Sequence, residues 1–216
     1  EATINLLHPF QPFIIGQKTF VVKMAIKLNI PLIFYGEMPG EYGKKMSHKI
    51  SKWGTEEGNK NQSGFELDIL KGKKFDEAFL GGKKVQEYLD EGIRASDLEC
   101  YKPADPDLVR EKNIDFRFLG YFLRWVPQEN YYFSVEKVNF ESNLERTEGT
   151  YQKYASIDDK IDGFFYFTKY IKFGVGRAMK DSGQEIRNGH INKDEGIRLI
   201  KKFDGEYPVK YEDFFY

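Results

Sequence analysis

The sequence predicts an α/β fold, with a parallel sheet in its first part and a helical subdomain at its C-terminal end. Two patterns carry that reading. A helix-spaced apolar set, Val21, Met24, Ala25 and Leu28, runs directly into the apolar run Ile30-Pro31-Leu32-Ile33-Phe34-Tyr35, which stops at Gly36. A helix feeding a strand apolar on both faces is the arrangement of a parallel sheet, whose faces are covered by crossover helices. Beyond residue 156, three helical patterns follow one another, each with its own start and stop residues. The expected organisation is therefore an α/β core over residues 1–125 and a helical subdomain over 126–216, together one cooperative unit, since 216 residues are few for two independent domains.

The elements follow in order. Thr19 to Asn29 reads as an amphipathic helix, with Lys18, Lys23 and Lys27 away from the apolar stripe, and Ile30 to Tyr35 as a strand buried on both faces. Residues 44–74 turn polar and carry Gly54, Gly58, Gly64 and Gly72, the composition of an extended excursion. Phe75 to Leu89 is helical in pattern, and Asp105 to Asn113 is a short helix entered through Pro103 and Pro106. Phe116 to Trp125 reads as an aromatic-rich strand, and Pro127 to Val138 as a helix, because proline is tolerated in a first turn. Ser156 with Asp159 resembles a capping box ahead of the stripe Ile157, Ile161, Phe164, Phe165 and Thr168, and that helix ends near Gly174. Arg177 to Asn188 is closed by Gly189, and a last helix opens at Asn192, with Glu195 three residues on, and stops by Gly205.

Charge narrows the function classes. Lys plus Arg, 33, balance Asp plus Glu, 34, so no global field favours nucleic acid or an anionic membrane. No apolar run approaches ~18 residues and no basic-then-apolar leader opens the chain, so neither a spanning helix nor a signal peptide is expected. The lone Cys100 and three scattered histidines do not make a zinc ligand set, and a reducing, cytoplasmic setting fits them. Aromatic residues reach 16%, enough to fill a core and also to line a pocket with hydroxyl-tipped rings.

Four stretches concentrate polar groups. The loop Gly36-Glu37-Met38-Pro39-Gly40-Glu41-Tyr42-Gly43 lies at the carboxyl end of the expected strand, where α/β sheets gather ligands. It is either an ordinary solvated turn or a place where carboxylates hold magnesium or sugar hydroxyls. The run from Glu145 through Arg146, Glu148 and Lys153 to Asp158, Asp159 and Asp162 is a surface charge network or the edge of a phosphate and metal site, with Asp158 and Asp162 on one helix face. Lys169, Lys172 and Arg177 bracket Phe173-Gly174-Val175-Gly176, a helix–helix turn or an anion cradle at a helix N-terminus. Arg187, ahead of Gly189-His190, is a fork able to clamp phosphate or carboxylate, while the histidine reads as a helix-end cap.

Taken together, Gln11 to Lys18, IPLIFYGEMPGEYG from Ile30 to Gly43, RTEGTYQKYASIDDKID from Arg146 to Asp162, and YIKFGVGRAMKDSGQEIRNGHI from Tyr170 to Ile191 resemble the N-acetyl sugar amidotransferases. These are PP-loop ATP pyrophosphatase relatives of bacterial O-antigen and nonulosonic acid synthesis. The resemblance implies a partial adenine-nucleotide α-hydrolase-like (Rossmann-like) core. It also implies a reaction in which ATP activates a sugar acetamido group, with magnesium on the phosphates, and ammonia turns that group into acetamidino. It assigns Lys172, Arg177 and Glu37 to catalysis, and Glu41, Tyr42, Arg146, Glu148 and Arg187 to the N-acetylated sugar, which is expected to be nucleotide-linked. Gly36, Gly174 and Gly176 are assigned to the nucleotide, and Asp158 and Asp159 to the metal. The family's SGGxDS-like phosphate-binding turn is expected upstream of Glu1; Phe79-Leu80-Gly81-Gly82-Lys83 has the glycines without the Ser and Asp. Ammonia is expected from a separate glutaminase, because Cys100 lacks a supporting histidine motif. A homo-oligomer is possible through the aromatic helices. Sulfur transfer by another PP-loop enzyme, or a noncatalytic assembly module, are the competing readings.

Overall fold

The computed structural model describes residues 1–36 and 74–215. In chain order they form α1 (Ala2–Leu6), α2 (Gln11–Leu28), β1 (Leu32–Tyr35), β2 (Phe79–Leu80), β3 (Lys83–Lys84), α3 (Val85–Asp90), α4 (Ala95–Leu98), α5 (Pro106–Glu111), β4 (Asp115–Phe118) and α6 (Leu119–Phe122). Then follow α7 (Pro127–Val138), α8 (Asp162–Phe173), α9 (Arg177–Asn188), α10 (Lys193–Phe203) and α11 (Glu212–Phe215). The chain divides into two compact units, Gln11–Arg124 with Glu1, and Trp125–Tyr216 with Ala2–Phe10.

The first unit is mixed α/β. β1 pairs with β4 in parallel, Ile33 opposite Phe116, and a bond from the Asp115 amide to the Pro31 carbonyl (2.8 Å) extends the ladder. Ile33 and Phe116 are buried with Val22 and Ala25 of α2 and Val109 of α5, so one face of the pair is covered by helix. Leu32 and Phe34 are exposed, which corrects the expectation of a strand buried on both faces. Leu32 and Phe34 point to one side of the pleat and Ile33 to the other, and only the second side meets α2. α2 begins at Gln11, eight residues before the start at Thr19 read from sequence. Thr19 is fully buried in it, with its hydroxyl bonded to the Ile15 carbonyl at 2.9 Å.

Two further sequence expectations change in this unit. Phe75 to Leu89 is not one helix: a single 3₁₀ turn, Phe75–Glu77, precedes a β2–β3 hairpin, and only Val85–Asp90 is helical. Gly81 and Gly82 both take positive φ, 61° and 83°, the demand of a tight two-residue hairpin turn that other residues meet poorly. The glycine pair that suggested an incomplete phosphate loop is thus a hairpin turn, whose Gly81 amide donates to Gln11 Oε1 (2.6 Å). Phe116 to Trp125 is a strand only as far as Phe118, after which the chain turns into α6.

The second unit is helical. α7 and α9 occupy Pro127–Val138 and Arg177–Asn188, the spans read from sequence. α10 opens on a reciprocal capping box in which the Glu195 amide donates to Asn192 Oδ1 (3.0 Å) and the Asn192 amide to Glu195 Oε2 (2.8 Å). α9 and α10 approach so closely at Gly196 that a Cβ there would stand 2.7 Å from Ile186 Cδ1. α8 carries Phe164 into the core, stacked on Phe215 at 3.9 Å and edge-on to Tyr207. Its start lies later than Ser156 predicted. Ser156 itself has φ 56° and the helix begins at Asp162, so the Ser156–Asp159 capping box does not form. Asp159 instead accepts the Ile161 amide at 2.7 Å, and Asp158 and Asp162 do not share a helix face.

Candidate functional site

The second unit contains an open cleft between the irregular segment before α8 and the segment that follows α10. Backbone bonds fix its first wall: Thr147 donates to the Gln152 carbonyl (2.9 Å), Thr150 to that of Thr147 (3.2 Å), and Asn143 to that of Lys153 (3.0 Å). Arg146, Glu148, Ser156, Asp159 and Lys160 line the cleft on that side, and Pro208, Lys210 and Tyr211 on the other.

Each charged side chain there is placed by a nameable contact. Arg146 makes a two-pronged bond to Glu206, 2.6 Å on each arm, donates to the Thr150 carbonyl (3.1 Å) and lies over the Phe203 ring. Glu206 also accepts the Gly149 amide at 2.8 Å. The bond from Arg146, together with that amide, holds the Glu206 carboxyl below its ordinary value, and the bond to Glu206 raises Arg146 in turn. Glu148 reaches across the cleft to accept the Val209 and Lys210 amides at 3.0 and 3.1 Å, closing its rim. Lys160 sits 4.9 Å from the Phe214 ring and 6.0 Å from the Tyr211 ring, and Lys210 lies 5.3 Å from Tyr211. Two exposed ammonium groups therefore flank one tyrosine ring beside two carboxylates, a surface able to bind a polar ring with an anionic substituent.

Behind this wall is a buried charge cluster. Arg177, 11% exposed in its side chain, sets Nε 3.2 Å from both oxygens of Asp181 and Nη1 at 2.7 Å from Ser156 Oγ and 3.0 Å from Asp162 Oδ2. Ser156 in turn donates to Asp162, and Thr150 donates to Asp181 at 2.6 Å. Burial works against the charge of Arg177, yet Tyr166, whose ring centroid lies 4.5 Å from Arg177 Cζ, Asp181 and Asp162 more than compensate and raise its pKa. Burial raises Asp162, only partly opposed by Arg177. Beside the cluster, burial pushes the Tyr151 phenol up to about 12 and raises that of Tyr154, which stacks on Tyr131 of α7.

The residues singled out from sequence are distributed unevenly over these features. Arg146, Glu148 and Asp159 line the cleft; Asp158 is exposed next to it. Arg177 belongs to the buried cluster. Lys172 is exposed, donates to the Leu6 carbonyl (3.0 Å) and lies over the Phe173 ring, and Arg187 is exposed on the last turn of α9. Gly174 has φ 68° and terminates α8. Gly176 opens α9, and the anion at that helix N-terminus is the chain's own: Asp204 accepts the Gly176 amide at 3.0 Å and the Met179 amide at 3.3 Å. The proposed cradle is thus filled from within, since an internal carboxylate satisfies the same orphan amides a phosphate would. Gly36 follows β1 in the other unit, and Glu37, Glu41 and Tyr42 lie outside the described residues. Among the described residues no group of three or more His, Cys, Asp or Glu side chains is placed to hold a metal ion.

Lys210, Tyr211 and Glu206 were not singled out from sequence, and no local motif marks them; Lys160 stands inside the charged run that ends at Asp162, without a role assigned to it there. Asp181, Ser182 and Glu185 had a signal: with Ala178 they recur at helical spacing and form the buried face of α9. A polar helical stripe normally faces water, so its spacing reads as surface.

Residues 148–216 match the family described as LPS biosynthesis protein WbpG-like, C-terminal domain. All cleft residues except Asn143, Arg146 and Thr147 fall inside the matched segment, as does the whole of the Arg177 cluster. The likeness is confined to this C-terminal segment, which is similar to a domain named for lipopolysaccharide biosynthesis. No curated protein matches the chain. Among the described residues no helix is long and apolar enough to cross a membrane.

Proposed function

We propose that this protein acts in lipopolysaccharide biosynthesis as an ATP-dependent amidotransferase on an N-acetylated, nucleotide-linked sugar, and that the cleft beside Tyr211 receives the sugar. The observation that carries the reading is the cleft itself, in which an aromatic ring, two carboxylates and two exposed lysines converge within the segment similar to a lipopolysaccharide-biosynthesis domain. Pyranose rings stack on aromatic faces and their hydroxyls bond to carboxylates, while an anionic substituent pairs with ammonium groups.

The chemistry answers a leaving-group problem. An amide oxygen does not leave as such. In the proposed reaction the acetamido oxygen attacks the α-phosphorus of ATP and pyrophosphate departs. Ammonia then adds to the activated carbon, AMP leaves with that oxygen, and loss of a proton gives the acetamidino group. The carboxyl end of β1, at Gly36, is the position at which an α/β sheet presents nucleotide. Lys172 is exposed and able to meet phosphate, whereas Arg177, already saturated by two carboxylates, serves the site from behind. Asp158 and Asp159 do not fit a metal centre: Asp159 is engaged by the Ile161 amide and no third ligand joins them among the described residues, so magnesium belongs to this proposal only as the companion of ATP. Ammonia comes from a separate glutaminase, since a glutaminase nucleophile needs a neighbouring histidine and the unit holding Cys100 has none among its described residues. The requirement for ATP assigns the reaction to the cytoplasm.

The test is direct. The protein is incubated with ATP, magnesium, an ammonium salt and an N-acetylated nucleotide sugar, and the products are read by mass spectrometry. The expected product is the sugar with one carbonyl oxygen replaced by NH, formed in step with AMP and pyrophosphate. AMP release without a change in the sugar, or an unchanged sugar across the N-acetylated series, contradicts the reading.

A further inference from the structure

Arg177 does not line the cleft, yet Ser156, which it holds, does. The wall from Ser156 to Lys160 has no regular hydrogen-bonded structure of its own, and Ser156 stands at φ 56°, a conformation that costs a non-glycine residue on the order of 1 kcal/mol. Something must hold it there. The Ser156 hydroxyl gives its proton to Asp162 and accepts from Arg177 Nη1 (2.7 Å), so both its donor and an acceptor position are used. Arg177 is fixed in turn by Asp181 through Nε, and Asp181 by the fully buried Thr150, 0% exposed, on the adjacent loop. The side chains of Arg177, Asp162 and Asp181 are 11%, 17% and 3% exposed, so the clamp is shielded from the solvent that would loosen an ion pair at the surface.

We infer that Arg177 is a positioning residue: through Ser156 and Asp162 it sets the wall of the cleft that carries Asp159 and Lys160, without touching the ligand. The fork of the guanidinium is what the arrangement requires, because one side chain must reach Asp181 with Nε and Ser156 and Asp162 with Nη1. A lysine ammonium, a point charge, meets one of these partners at a time. The consequence for the ligand rests on the cleft being the sugar site; the consequence for the wall does not.

Arg177→Ala would leave two buried carboxylates unpaired and fail through misfolding, so the informative variants are Arg177→Lys and Ser156→Gly. The second removes the hydroxyl while relieving the positive φ. Two readouts are combined: amide hydrogen exchange along the chain, and calorimetric titration with the N-acetylated nucleotide sugar. Exchange over residues 156–161 is expected to accelerate about tenfold or more in both variants, with α9 and α10 as protected as in the wild type. Affinity is expected to fall about tenfold. Unchanged exchange in the wall, acceleration spread evenly over α9 and α10, or wild-type affinity in both variants overturns the inference. Failure of the wild type to bind any such sugar overturns the proposed function instead, and the exchange measurement still decides the clamp.

Discussion

Asp204 and Gly176 illustrate how a single position is set by its neighbours. The Asp204 carboxylate occupies the N-terminus of α9 because two orphan amides there need an acceptor, and the missing Cβ of Gly176 leaves it room. A Cβ at Gly176 would stand 2.4 Å from Asp204 Oδ1 and 2.9 Å from Cγ, too close for either to remain. Gly176→Ala is therefore expected to lower stability by about 1–3 kcal/mol in urea unfolding, through overpacking together with loss of the cap. Asp204→Ala should cost about 1 kcal/mol without the steric component. Equal stability of Gly176→Ala and the wild type would show that the helix start has another acceptor. Glycines at such positions were conspicuous in the sequence. What filled the space beside them was not, because Asp204 lies 28 residues away along the chain.

At the scale of elements, boundaries followed local chemistry wherever that chemistry was self-contained. Pro127, Gly189 and the Asn192–Glu195 pair each mark a terminus with atoms only a few residues apart, and α7, α9 and α10 run over the spans those residues predicted. Asn192→Ala is expected to remove about 1 kcal/mol and to fray the first turn of α10, seen as faster amide exchange at Glu195. Where an element depends on partners elsewhere, its reading failed. Ser156 looks like a helix cap in sequence, but Arg177 and Asp162 take its hydroxyl and α8 starts six residues later. Phe75 to Leu89 has helical spacing, but the two glycines with positive φ turn its middle into a hairpin, whose Leu80 is buried with Val85 of α3 and Ile15 of α2. The buried face of α9 was hidden for the opposite reason, its inward residues being as polar as surface ones.

For the whole molecule, stability responds to pH through groups with opposite signs. His8 is lowered below 6.5 by burial and by the nearby charge of Lys172, so its contribution is full above the unfolded value and is lost as pH falls through the folded one. Glu206, lowered by Arg146, behaves alike at more acid pH: its contribution is present above the unfolded value of 4.5 and disappears as pH drops through the folded one. Asp162, raised above 3.8 by burial, contributes most when protonated and loses that contribution as pH rises through its folded value. Urea unfolding from pH 7 downwards should therefore show a first loss below 6.5, absent in His8→Gln, and a second below 4.5, reduced in Arg146→Met. An unaltered first step in His8→Gln would remove His8 from the explanation. The α/β character of the first unit and the helical character of the second were legible from periodicity; the cleft was only half legible, since its Arg146, Glu148 and Asp159 lie in one charged run while Lys210 and Tyr211 join it from beyond α10. That cleft is the centre of the functional proposal, and the most direct test is calorimetric titration of the protein with N-acetylated nucleotide sugars, in the wild type and in a Lys160→Ala, Lys210→Ala pair. Saturable binding in the wild type, weakened about tenfold or more in the double variant, is the predicted result; equal affinity in the two proteins, or no binding in the wild type, would contradict it.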